Sequence, residues 1–185
     1  RAINPALDAW FNEGFVSRFT LADLAHYAPG TLGGIFHAQL SDNALDVNIV
    51  PPFEPKNDFE YFQLRAGQTH DLEHILGGGG FDFIGELVPY YMRLTNVFTH
   101  LSPELAGELC AFSILGSTRI ITRAVLHYPQ TWLVAQNAME RGARVGRESA
   151  PIFMMTCEDV FDLPLEEARE ALGIRGAQFV DTAVA

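Results

Sequence analysis

The chain has 185 residues, 48% of them apolar and 19% charged, which is ample material for one buried core and excludes global disorder. Twenty-three acidic residues against twelve Lys and Arg give a formal charge of −11, which excludes nucleic acid as a partner, because binding it needs a basic face. Apolar runs stop short of the roughly 20 residues a membrane-spanning helix needs. Two cysteines, Cys110 and Cys157, make no disulfide framework and no C-x-x-C pair, so the expectation is a soluble acidic globule of a reducing compartment.

Apolar spacing is helical almost throughout and strand alternation is weak, so the sequence predicts an all-α single domain over 1–185, with about seven helices. The first runs over about Ala6 to Phe19. A loop at Ala28-Pro29-Gly30 precedes a short helix over about Leu32 to Asp42, and Pro51, Pro52 and Pro55 mark a turn-rich connector over 48–57. A well-marked helix from Asp58 to Leu76 stops at Gly77-Gly78-Gly79-Gly80. Its successor, Asp82 to His100, carries Pro89 and is expected to kink there. Ser102-Pro103-Glu104 combines an N-cap, a proline at the first helical position and an acid at the positive end. That helix is expected to reach about Tyr128, with Gly116 as an interruption. Another follows from Pro129 to Val145, and a last one spans Leu163 to Leu172 between Asp162 and Gly173.

The chemistry concentrates in His70-Asp71-Leu72-Glu73-His74 and in Glu86, twelve positions beyond His74. On a helix His70 and His74 lie one turn apart on one face, with Asp71 beside them. The glycine run lets the chain reverse, and Gly85 leaves little bulk beside Glu86, so an antiparallel helix could bring Glu86 opposite the trio. Two imidazoles and two carboxylates suit a divalent ion such as zinc, iron or manganese. An H-x-x-x-H pair alone is equally a surface or core histidine pair. Glu73 is a candidate base, as in H-E-x-x-H enzymes, or else a solvated helix residue. No Ser-His-Asp set, Walker loop or dinucleotide fingerprint is present.

At these residues the chain resembles the ubiquinone biosynthesis protein four family, whose hallmark is H-D-x-x-H, eleven residues, then E. His70, Asp71, His74 and Glu86 match it in type and spacing. Pro29-Gly30-Thr31-Leu32-Gly33 is similar to the family's P-x-G-T-L-G segment, less one residue, and Leu165-Glu166-Glu167-Ala168-Arg169 with Leu172-Gly173-Ile174 is similar to its closing helix. The sequence departs from the pattern at Tyr90, where the family usually has lysine, and in Arg65-Ala66-Gly67-Gln68-Thr69 ahead of the first histidine.

The resemblance implies a protein of coenzyme Q synthesis that removes a ring carboxyl group from a polyprenylated 4-hydroxybenzoate-derived precursor, with or without hydroxylation. It equally implies a non-catalytic scaffold that binds prenyl lipid within a quinone biosynthesis complex. A metallohydrolase is the third alternative, with Glu73 as its base. The implied cofactor is a divalent metal, zinc first, with iron, manganese or magnesium open. Phe81, Phe83, Ile84, Tyr90 and Tyr91 are candidates for an apolar lipid groove, with Phe112, Leu115 and Ile120 nearby; ordinary helix packing accounts for the same pattern. Arg119, Arg123 and His127, at i, i+4 and i+8, and Arg141, Arg144 and Arg147 form basic stripes for a carboxylate, a phosphate or an anionic membrane surface, or else solvated faces. A homodimer and a peripheral membrane address are further expectations, on the cytoplasmic side in a bacterium or the matrix side in a mitochondrion.

Overall fold

Five of the described helices begin where a short polar side chain bonds the free N–H groups of the first turn. In the computed structural model, which describes residues 4–47, 51 and 53–177, Asn4 caps α1 (Pro5–Glu13), and Thr20 and Asp23 close a reciprocal capping box on α2 (Leu21–Leu24). Thr31 caps α3 (Leu32–Asp42), Asn57 caps α4 (Asp58–Gly77), and Ser102 caps α6 (Pro103–Leu109). The remaining helices are α5 (Leu87–His100), α7 (Ala111–His127), α8 (Trp132–Glu148) and α9 (Leu165–Ala171). All nine are α-helices and no strand occurs among the described residues, as the apolar spacing predicted.

Three boundaries differ markedly from expectation, each for a physical reason. The first helix ends at Glu13, because Gly14 adopts φ 62° and turns the chain out. The helix expected from Asp82 begins only at Leu87. Pro89 therefore falls in its first turn, where N–H groups have no intrahelical acceptor, and causes no kink. The break predicted at Gly116 lies instead at Cys110, where α6 and α7 meet at 62°. The short α2 was not foreseen, and the connector predicted over 48–57 lies partly outside the described residues.

The α4–α5 hairpin runs through the middle of the molecule, and three apolar clusters form around it. At the open end of α4, Trp10, Tyr61, Phe62, Leu109 and Phe153 pack together. At its other end Leu72, Leu76 and Met92 meet Phe36, Leu40, Phe161 and Ile174. The third cluster joins the start of α5 to α7 and α8 through Leu87, Val88, Ile120 and Ala135. α8 approaches α5 backbone to backbone: a Cβ on Gly142 would lie 2.4 Å from the Val88 carbonyl oxygen, and one on Gly146 2.3 Å from that of Met92. Asn96 completes the junction. Its amide donates to the Gly146 and Ala150 carbonyls, and its oxygen accepts from the Ile152 N–H, so no atom of this buried group is wasted.

Both cysteines are buried and unpaired. Burial pushes the Cys110 thiol up to about 11, and the Cys157 thiol higher still for the same first cause. Thiolate is the reactive form, so alkylation of Cys110 in the native protein at pH 8 is expected to be at least about a hundredfold slower than in denaturant, from the two-unit shift alone. Mass-spectrometric counting of adducts over time checks this; equal rates in both states would contradict the placement. The same shift lowers stability at high pH. The folded state keeps a proton that the unfolded thiol releases from about pH 9, so stability falls between about pH 9 and 11.

Candidate metal centre

α4 carries the imidazoles and the helix start after the glycine run carries the opposing carboxylate. His74 is wholly buried, and its Nδ1–H donates to the Gly80 carbonyl at 2.9 Å. That bond sets the tautomer, leaving the lone pair on Nε2. Nε2 itself is buried with no hydrogen-bond partner. Phe81 stacks on the same ring, 4.6 Å between centroids, and holds its plane. The Gly80 carbonyl reaches His74 because the loop folds tightly on itself. A Cβ on Gly85 would stand 1.9 Å from that carbonyl oxygen, so only glycine fits there.

The four residues singled out from sequence converge. His70, Asp71 and His74 have ligand atoms within 4.8 Å of one another and could hold a metal ion. Glu86 closes the group, with Oε2 3.1 Å from His70 Nε2 and Oε1 3.5 Å from His74 Nε2. Burial acts to raise the Glu86 carboxyl, but the hydrogen bond from His70 and the nearness of both imidazoles outweigh it and hold it well below the usual range. Asp71 moves the other way. Burial raises it, the two imidazoles oppose that, and the Glu86 and Glu73 charges reinforce it. Two carboxylates beside two imidazoles, one with an unpartnered buried nitrogen, form a donor set that a divalent cation would complete. The cluster is closed at His74 and open at Glu86, whose side chain is 32% exposed.

The end of α4 is held by residues far away in sequence. Arg169 donates to the Ile75 and Leu76 carbonyls at 3.0 Å each, and Arg141 donates to Gly78 at 2.6 Å. Both guanidinium groups sit at the negative end of the helix dipole. Arg141 thus belongs to the interior, not to the solvent-facing basic stripe expected with Arg144 and Arg147. The segment Pro29 to Gly33 is tied to the approach to α9, with the Leu32 N–H donating to Leu163 and the Gly33 N–H to Phe161. The three motif segments noted in the sequence therefore meet around one helix end.

Glu73 is not placed to act as a base. It is fully buried, and its Oε1 accepts from the Thr69 hydroxyl at 2.9 Å and from Arg93 at 2.7 Å. Arg93 also donates to the Ala66 carbonyl, so the pair cross-links α4 and α5 beside the centre. Nothing in the spacing announced this partner.

The expected lipid-facing residues separate. Phe81 and Tyr90 flank the centre, with the Tyr90 ring 5.9 Å from that of His70 and its tip against Gly116 of α7. Ile84 is fully buried in the third cluster, on which Phe83 and Tyr91 pack, so these serve the core. The large cleft nearby, about 640 Å³, is polar instead of apolar: Arg119, Thr122, Arg123, His127 and Tyr128 line it, and Arg123 lies over the Phe83 and Tyr128 rings.

Fold and site together define an all-α protein with an imidazole–carboxylate centre on a buried helical hairpin. Its fold is shared with the crystal structure of a candidate ubiquinone biosynthesis protein from Nostoc punctiforme, at 23% identity and a TM-score of 0.68, over 93% of this chain and 76% of that one. No protein-family model matches the sequence, and no curated protein does.

Proposed function

We propose that this chain binds a divalent cation, zinc in the first instance, through His70, Asp71, His74 and Glu86 and acts in ubiquinone synthesis on the ring of a polyprenylated 4-hydroxybenzoate-derived acid. The observation that carries the proposal is that His70, Asp71 and His74 bring ligand atoms within 4.8 Å of one another, with Glu86 against both imidazoles and the buried Nε2 of His74 left unpartnered. The shared fold and the motif resemblance support the pathway. A bound cation supplies charge stabilisation to a ring carboxylate or phenolate. The protein residues do the rest: Gly80 and Phe81 fix the His74 ring, and Glu86 presents the open side of the cluster to solvent. Tyr90 forms a wall there, its phenol kept protonated by burial and by the Glu86 charge. In the simple reaction the carbon–carbon bond to the carboxylate breaks, carbon dioxide leaves and the ring carbon takes a proton. Replacement by hydroxyl requires dioxygen as a further reactant. The metallohydrolase alternative loses its base with Glu73 engaged by Arg93.

The test is turnover of a prenylated hydroxybenzoate-type acid by the metal-loaded protein, followed as release of carbon dioxide. Carbon dioxide should appear with the parent and be absent with His70→Ala. Stoichiometric metal without turnover would instead favour the lipid-binding scaffold.

A further inference from the structure

The turn of α4 that carries His74 is anchored from outside the helix. The last carbonyls of a helix find no partner within it. Here the Gly79 N–H donates to the His74 carbonyl at 2.8 Å and the Gly78 N–H to that of Ile75 at 3.3 Å. The Leu76 carbonyl accepts from Arg169 Nε, and Ile75 accepts a second bond from Arg169 Nη2. Arg169 belongs to α9, 93 residues beyond Leu76. It is buried, and its third nitrogen, Nη1, pairs with Glu166 at the surface, so the whole guanidinium group is engaged. Burying that charge is unfavourable unless its N–H groups are met, and its planar fork spans two successive peptide groups as a lysine ammonium cannot. α9 is itself moored. The Leu165 N–H donates to Gly30, the Ala150 N–H to Gly173, and Ala168 and Ile174 share an apolar cluster with Leu72 and Leu76.

We infer that Arg169 is a positioning residue for the candidate centre: by fixing the Ile75 and Leu76 peptide groups it sets the orientation of the His74 ring. That ring has two anchors, its own place in the last turn of α4 and the Gly80 carbonyl that receives its Nδ1–H. Between them lie residues 75–79, which include Gly77, Gly78 and Gly79. A segment so rich in glycine keeps one geometry only where it is tied from outside. Arg169 ties it at Ile75 and Leu76, and Arg141 ties it at Gly78. Without Arg169 the turn frays and the Gly80 carbonyl leaves Nδ1. The ring proton is then shared between the two nitrogens, and Nε2 no longer presents a fixed lone pair to the other ligands. A residue that only joined α9 to the core would add stability and leave the ring unchanged. For the cation the inference rests on the proposed function; for the ring it stands on these bonds alone.

The test compares the parent with Arg169→Ala, Arg169→Lys and Leu7→Ala. Nitrogen-15 shifts of the His74 ring in the metal-free protein locate its proton, chelator competition gives zinc affinity, and urea midpoints give stability. The parent should show one tautomer, protonated at Nδ1. Arg169→Ala should lose that single-tautomer signature and bind zinc about 10–100-fold more weakly with every ligand still present, the range that follows loss of a group supporting a ligand. Arg169→Lys keeps the charge without the fork and should fall between the two; where the alanine variant does not fold, the lysine variant decides. Leu7→Ala truncates the cluster at the open end of α4, so it should lower the urea midpoint and leave tautomer and affinity as in the parent. Parental tautomer and affinity in the Arg169 variants overturn the inference. So does an equal loss in Leu7→Ala, which would make the effect one of global stability. A parent that binds no zinc, with the His74 signature still lost in Arg169→Ala, removes the metal reading and leaves Arg169 as the residue that sets the ring.

Discussion

Replacing His74 with alanine is expected to weaken divalent-cation binding by more than the roughly 10–100-fold that follows loss of a group which only orients a ligand. The imidazole is fully buried, its Nδ1 is committed to Gly80, and its Nε2 is left facing Asp71, His70 and Glu86. Gly85→Ala should fall in the lesser range, because its methyl group displaces the Gly80 carbonyl and with it the ring orientation, while every ligand stays. Competition with a chromophoric chelator measures both, and elemental analysis fixes the stoichiometry. Acid should release the metal in the parent too, since the ligand atoms must be free of protons to bind it. Parental affinity in both variants would place any cation elsewhere.

Arg93→Leu should cost about 3–5 kcal/mol of stability, because it leaves the Glu73 carboxylate buried without its charged partner. The Thr69 hydroxyl remains, but one neutral hydrogen bond does not replace a guanidinium group at 2.7 Å. Removing both charges, as Glu73→Leu with Arg93→Leu, should recover much of that loss, since no unpaired charge then remains inside. Urea unfolding midpoints of the two single variants and the double variant give the coupling. A cost below about 1 kcal/mol for Arg93→Leu would mean that the pair is hydrated and not a buried cross-link.

The legible part of the molecule was local. The Ser102 cap and the stop at the glycine run, where Gly78 has φ 72°, act through residues within one turn, so those helix ends could be read directly. The metal motif was legible for a related reason: His70, Asp71 and His74 share one helix, where geometry fixes their spacing. Even Glu86 was within reach, because a short glycine-rich reversal leaves few alternatives.

Two features carried a signal that sequence reading passed over. Ala135, Ala138, Gly142 and Gly146 recur at helical spacing and mark the side of α8 that meets the α5 backbone. The acid-free stretch between Glu108 and Glu140, which supplies the arginines of the polar cleft, stands out against the charge of the whole chain. The break at Cys110 carried no such signal. Nothing in Leu109-Cys110-Ala111 stops a helix; the 62° bend arises because α6 packs with Trp10 and Phe62 while α7 packs on α5.

By itself the sequence determined the helical class, several of the helix ends and the identity of the four candidate ligands, since all of these follow from interactions between near neighbours. Tertiary structure alone decided that Glu73 pairs with Arg93, that Arg141 and Arg169 close the end of α4, and that the apolar side of α7 faces outward. Those outcomes depend on which surfaces meet across the core, and side-chain spacing along a single helix holds no information about what lies opposite it.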